Sequence, residues 1–277
     1  MSLGALSEYA VRLAPVALTL SMALFFQMVV EGVFLPQPVI TPIPEKVEEG
    51  PSLLLTPAPY INSLMVVAAM FVGSFALIAL LRFRRLVRTL VITVFSLVAL
   101  TTCMFYMILL TDLSLEAMLA LSTAFSAAAA LAVVSKSETA GLLACSYVAS
   151  ASGVIIGSSI PFWTSLVMLV AISVYDLLVV FKGHLRTLGE VDTSTLKGLV
   201  VDFRGVAIGL GDLFFYTVLY SFAMTNLGTV PAAAAVAGLL TGYAATLRLA
   251  RQRPVFPGLP LTILTALFFG FTVYFVL

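Results

Sequence analysis

Nine apolar stretches dominate this chain, over roughly 12 to 35, 60 to 81, 89 to 110, 114 to 134, 139 to 159, 162 to 182, 205 to 223, 229 to 248 and 258 to 277. Each is about 20 residues long, the length a helix needs to cross the hydrocarbon core of a bilayer. Lipid offers the backbone no hydrogen-bond partner, so such segments cross as helices. The expected fold is an all-α polytopic membrane protein with nine transmembrane helices. Composition agrees: with 61% hydrophobic and 10% charged residues among 277, a water-soluble domain would lack polar surface. The first stretch has no A-x-A-like cleavage site behind a short apolar core and reads as a retained span rather than a signal peptide.

We expect one membrane-embedded domain over 1–277, with spans one to six over about 12–182, a cytoplasmic loop over 183–204 and spans seven to nine over about 205–277. Pro36, Pro38, Pro42, Pro44, Pro51, Pro57 and Pro59 keep the connection 36 to 59 from being a helix interior or central strand. Nine spans put the termini on opposite sides. With the N-terminus inside, 13 of the 14 basic residues border the inner face, and only Lys46 lies outside. The positive-inside rule therefore gives a cytoplasmic N-terminus and an extracytoplasmic C-terminus. The densest basic run, Arg82, Arg84, Arg85 and Arg88, sits at an inner membrane boundary, where lipid phosphate accounts for it. No surface for nucleic acid is indicated. Cys103 and Cys145 fall inside apolar stretches and read as small buried side chains, with no metal-ligand spacing. The Ala-rich runs at 127 to 130 and 232 to 235 read as faces for close helix packing.

Two acids break the apolar pattern. Asp176 lies in the sixth stretch, six residues before Lys182, and Asp212 lies in the seventh, seven residues after Gly205. An ionisable residue inside a membrane segment is costly and marks a candidate functional site. If both stretches are helical from these limits, each acid is about 10 Å from the inner end of its helix. Two carboxyls at one depth on neighbouring antiparallel helices suit a shared-proton pair, because like charge and low polarity together oppose double ionisation. Aspartic proteases use such a pair to activate water and protonate a peptide group. The same acids also suit a cation- or proton-coupled transporter or channel, and a scaffold that binds other helices is a third possibility.

Around these acids, Gly205, Gly209 and Gly211 would leave one side of a seventh helix nearly bare, for helix packing or for a substrate backbone. Tyr175 points about 100° away from Asp176 around its helix, either lining the site or bonding another span. Pro254, Pro257 and Pro260 predict an extended, broken backbone before a last span starting near Leu261.

Tyr175-Asp176, Gly209-Leu210-Gly211-Asp212 and Pro257-Gly258-Leu259, in that order and in the sixth, seventh and ninth spans, resemble the three signatures of the GxGD-type intramembrane aspartyl proteases, the presenilins and signal peptide peptidases. The resemblance implies that Asp176 and Asp212 are the catalytic pair. It places Tyr175, Gly209, Leu210, Gly211, Pro257, Gly258, Leu259 and Pro260 around the substrate cleft. The family's third signature is usually Pro-Ala-Leu; Gly258 keeps the space free and loosens the backbone. An N-in, C-out chain looks like a presenilin, since signal peptide peptidases are inverted. The short 183 to 204 loop looks like that of a microbial, archaeal-type homologue working without accessory subunits. Substrates would be transmembrane-helix proteins within the lipid bilayer of the cell membrane, cleaved with no cofactor and no metal.

Three further readings complete the chain. In 198 to 203, Val200, Val201 and Phe203 favour extended backbone, and this short strand could pair with an unwound substrate through Leu199, Val200 and Val201. Gln27 and Glu31 share a face near the outer end of the first span and read as packing or water-facing groups. His184, beside Lys182 and Arg186, reads as an interfacial loop histidine.

Overall fold

Long runs of Leu, Val, Ala and Phe with sparse charge become helices here, as backbone pairing in an apolar setting requires. In the computed structural model the described residues are 3–33, 35, 41–45, 54–181, 197–250 and 257–277. Pro36, Pro38, Lys46, Pro51, Lys182, His184, Arg186 and Pro254 lie outside them. The helices are α1 (Leu3–Val30), α2 (Ala58–Leu80), α3 (Arg84–Leu110), α4 (Leu115–Val134), α5 (Glu138–Ser159) and α6 (Phe162–Phe181). Strands β1 (Val200–Phe203) and β2 (Val206–Gly209) follow, then α7 (Leu210–Leu227), α8 (Thr229–Ala250) and α9 (Leu259–Val276). Eight of these nine helices among the described residues are long and apolar enough to cross a membrane. The chain is a multi-pass integral membrane protein.

Most limits match the apolar stretches to within a few residues, and three differ. Helix α1 starts at Leu3 rather than at 12 and stops at Val30 rather than at 35, shortly before Gly32, whose φ of 80° few side chains tolerate. Helix α7 starts at Leu210 rather than at Gly205, because 206 to 209 is a strand; α7 is the one helix of the nine outside the membrane-spanning set. Helix α9 starts at Leu259, with Pro260 in its first turn, where proline's missing N–H is no loss. Of the expected extended lead-in only 257 and 258 are described, and Gly258 is already in the helical region rather than extended.

The chain divides into two compact units. The first comprises Met1–Gly32, Leu80–Val154 and Val191–Thr217. Hydroxyls tie its helices together: Thr19 Oγ1 donates to Ser146 Oγ at 3.0 Å, Tyr106 to the Ala151 carbonyl at 3.0 Å, and Ser126 to the Ser96 carbonyl at 2.6 Å. A methyl added at Gly153 would come within 2.7 Å of the Thr217 Cβ, so α5 and the start of α7 touch nearly backbone to backbone.

The second unit comprises Val33–Ala79, Ile155–Glu190 and Val218–Leu277. Helices α8 and α9 interlock through small residues. Ala232 and Ala235 are buried, as the Ala-rich run implies, but the tightest approach is at Gly238 and Gly242, against Thr262, Thr265 and Ala266. At the connection between α1 and α2, Asn62 of α2 accepts from the Ile43 N–H at 3.1 Å and donates to the Ile43 carbonyl at 2.9 Å and to Thr164 Oγ1 at 3.2 Å. The Thr164 hydroxyl donates to Glu45. Glu45 also meets the backbone N–H groups of Trp163 and Thr164, so a distant carboxylate caps the first turn of α6.

Two stability predictions follow from these contacts. A methyl at Gly238 would lie 2.6 Å from the Thr265 carbonyl oxygen, whereas one at Gly73 meets nothing within 4 Å. Gly238→Ala should therefore destabilise by about 1–3 kcal/mol through overpacking, and Gly73→Ala should be neutral or stabilising, as read by thermal unfolding in detergent. Burial is the largest influence on Glu45 and holds its carboxyl above the usual carboxylate range. The folded state thus binds more protons than the unfolded one, and this residue's contribution to stability falls as pH rises from the unfolded pKa through the folded one. Glu45→Gln should match the parent near pH 4 and unfold at a higher temperature than the parent near pH 7.

Candidate functional site

The segment leading to Asp212 is a hairpin rather than a helical turn. Val200-Val201-Asp202-Phe203 and Val206-Ala207-Ile208-Gly209 pair antiparallel, with Val200 opposite Gly209 and Phe203 opposite Val206. Val201, Val206 and Ile208 are buried while Asp202 and Ala207 are exposed, the alternation of a strand with one covered face. The turn is Arg204-Gly205 with φ of 50° and 76°, positive at both central residues as in a type I′ turn. Two contacts hold this hairpin against the α4–α5 turn. The Arg204 N–H donates to Glu138 Oε2 at 3.0 Å, and Lys197 Nζ donates to the Ser135 carbonyl at 2.8 Å, at the end of α4. The ladder runs on into α7 through Leu210 N–H to the Leu199 carbonyl at 2.7 Å.

Asp212 consequently occupies the first turn of α7, where the unpaired N–H groups and positive end of the helix favour a carboxylate. It is half-buried, and a methyl on Gly209 would lie 3.7 Å from its carboxyl. Gly205 and Gly209 are strand and turn residues, so the bare helical side expected from the three glycines does not form. Gly211 alone is helical, with open space where its side chain would be. The 10 Å depth assigned to Asp212 assumed a helix from Gly205 and loses that premise.

Asp176, also half-buried, lies one and a half turns before the end of α6. Its Oδ2 accepts the Leu259 N–H at 3.1 Å, and the Gly258 N–H is a second partner of the carboxyl. Gly258 has no side chain with which to cap α9 and makes no cap bond, and Pro260 has no N–H. Asp176 therefore serves as the external cap of α9 from another helix. Pro257, Leu259 and Pro260 are buried around this junction. Gly258 has φ −79° and ψ −38°, a conformation open to any residue, so the backbone here does not require glycine in place of alanine. Tyr175 leads elsewhere: its hydroxyl donates to Ser74 Oγ of α2 at 3.3 Å.

The structure thus brings Asp176 together with Gly258 and Leu259, Asp212 with Gly209, and Leu199 and Val200 with Leu210 and Gly209. Asp212 belongs to the first unit and Asp176 to the second. A cavity of about 180 Å³ lies in the first unit between the α4–α5 turn and β1, lined by Val133, Lys136, Glu138, Leu142, Lys197 and Val200 among others, and contains neither acid. Among the described residues no cluster of His, Cys, Asp and Glu could hold a metal ion. Sequence reading overlooked Glu138 and β2. The signal for β2 was present, since a two-residue x-Gly turn between VVDF and VAIG is a hairpin pattern.

Comparison with solved structures finds the same fold in a presenilin family intramembrane aspartate protease. In its C222 crystal form the TM-score is 0.70 at 18% identity, covering 97% of this chain and 99% of the other. In its P2 crystal form the values are 0.64, 19%, 96% and 96%. No family model and no curated protein matched the chain. At this identity the likeness concerns the fold.

The hairpin turn yields a local test. Gly205→Ala must hold a left-handed φ and should weaken the hairpin by about 1 kcal/mol. Gly211→Ala, in open helical space, should leave the hairpin unaffected or slightly stabilise α7. Hydrogen–deuterium exchange over 199 to 210 reads both, with faster exchange expected only for Gly205→Ala.

Proposed function

We propose that this protein is an intramembrane aspartic endopeptidase that hydrolyses peptide bonds within transmembrane segments, using Asp176 and Asp212 as a pair. The observation that carries this reading is the hydrogen bond from the Leu259 N–H to Asp176. It joins two of the three motifs, 83 residues apart in sequence, around a carboxylate inside a membrane helix. The shared fold with a presenilin family intramembrane aspartate protease over nearly the whole chain supports it further.

In the proposed mechanism the two carboxyls share one proton. The ionised member removes a proton from a water as the oxygen attacks the peptide carbonyl, and the protonated member donates to the carbonyl oxygen. Proton return to the amide nitrogen lets the C–N bond break, leaving a new carboxyl and a new amine. The pair titrates as a unit, so neither role is assigned to one residue. The cap bonds from Gly258 and Leu259 hold the Asp176 carboxyl in place beside the start of α9. Gly209 and Gly211 keep bulk away from Asp212.

A substrate helix must unwind before its carbonyls are open to attack, and its freed backbone then needs partners. The expectation assigned that pairing to Leu199, Val200 and Val201. In the hairpin β1 is already paired with β2 along one side, and Lys197 bridges to Val200. The H-bonded pairs fall at Leu199–Leu210 and, by alternation, at Val201–Ile208, which turns the N–H and C=O of Ala207 and Gly209 away from β1. The same alternation turns the N–H and C=O of Val200 and Asp202 away from β2, so β1 keeps a second edge for the pairing assigned to Leu199, Val200 and Val201, and the outer edge of β2, three residues from Asp212, is a further place for it. The cytoplasmic N-terminus, extracytoplasmic C-terminus and activity without accessory subunits belong to the same proposal.

Purified protein in liposomes with a single-span substrate tests it. The parent should release two fragments identifiable by mass, and Asp176→Asn and Asp212→Asn should each lower the rate by about 10²–10⁴-fold while unfolding like the parent. Full cleavage by either variant would reject the pair.

A further inference from the structure

Helix α3 begins with the wrong charge for a helix. The N-terminal turn carries partial positive charge and unpaired N–H groups, and acids usually accumulate there. Helices α4, α5 and α7 conform, with Glu116, Glu138 and Asp212 in their first turns. Helix α3 instead opens on Arg84 and Arg85, followed by Arg88, with Arg82 just before it. It has no acid in its first turn, and its N-cap, Phe83, makes no side-chain cap bond.

Among the described residues nothing offsets this charge. All four arginines are exposed, and among the described residues none is paired with a carboxylate. The contact made by Arg82 is with an aromatic face, its guanidinium 4.6 Å from the centre of the Phe83 ring. Val87 and Val91 fix the buried side of α3. Beside the arginines, Phe83 is 50% exposed and Leu86 51% exposed, so a strongly cationic surface adjoins an apolar one at the mouth of a membrane-spanning helix.

We propose that the turn over 82 to 88 binds the headgroup of an anionic phospholipid. The lipid phosphate lies on the guanidiniums and the open N–H groups of α3, and its glycerol and upper acyl carbons lie against Phe83 and Leu86. The flanking apolar surface and the position at a span boundary favour a lipid over free phosphate, which has no use for either. On the proposed orientation the lipid belongs to the inner leaflet. A general preference for cations on that side does not require clustering. Lys136, an exposed cation of the α4–α5 turn, has Glu138 two residues away, and it provides the comparison.

The test is native mass spectrometry of the full chain extracted from vesicles of phosphatidylcholine with phosphatidylglycerol. The parent should retain phosphatidylglycerol preferentially, and added salt should weaken this. Replacing arginine by glutamine at 84, 85 and 88 should reduce the preference about fivefold per charge removed; the corresponding lysine replacements should keep most of it, and Lys136→Gln should keep all of it. If the triple variant does not insert, Arg85→Gln alone should show the single-charge loss. An unchanged preference in the glutamine variants, an equal loss in Lys136→Gln, or displacement of the lipid by inorganic phosphate at matched ionic strength would each overturn the site.

Discussion

A backbone N–H or C=O in hydrocarbon must find its partner within the protein, and this requirement shapes the whole chain. Regular helix satisfies it for most residues. Where helices start or stop the requirement passes to particular side chains, and these are the places where the structure departs from plain apolar rods. Glu45 serves the start of α6, Ser114 and Ser137 the starts of α4 and α5, and Lys197 the end of α4. Asp176 serves the start of α9. The same need favours a two-stranded ladder over an irregular loop for 200 to 209, with its tip tied to Glu138.

This division also separates what could be read from the amino-acid order from what could not. Helical spans are legible because their signal is a local excess of apolar residues, and eight of the nine expected spans coincide with described helices long and apolar enough to cross a membrane. The 205 to 209 segment was misread for the same reason: VAIG is as apolar as a helix, and hydropathy does not separate a short buried strand from a helical turn. The Arg204-Gly205 turn chemistry carried the missing information. The capping pairs are a different matter. Asp176 and Leu259 are 83 residues apart, and Glu45 and Thr164 are 119 apart; no spacing rule reaches that far. The first was legible only through motif resemblance, and the second was not legible at all.

The candidate site gains a division of labour from these constraints. Asp176 is oriented by the backbone of the last helix, and Asp212 by its place at the start of α7 behind the hairpin. Each acid sits where unpaired N–H groups would otherwise be left, so a structural reason for both residues coexists with the proposed catalytic one. Loss of activity on substitution would therefore need to be read beside stability, and the pairing itself needs a test that does not pass through turnover.

That test is cross-linking in the bilayer. With Cys103 and Cys145 replaced by alanine, Asp176→Cys and Asp212→Cys are combined and treated in proteoliposomes with a series of bifunctional thiol reagents of increasing length. A shared catalytic site predicts efficient intramolecular cross-linking by the shortest reagents, with each single-cysteine variant as a blank. Thiols that are each accessible to a monofunctional reagent yet joined only by long spacers would contradict the proposed pair.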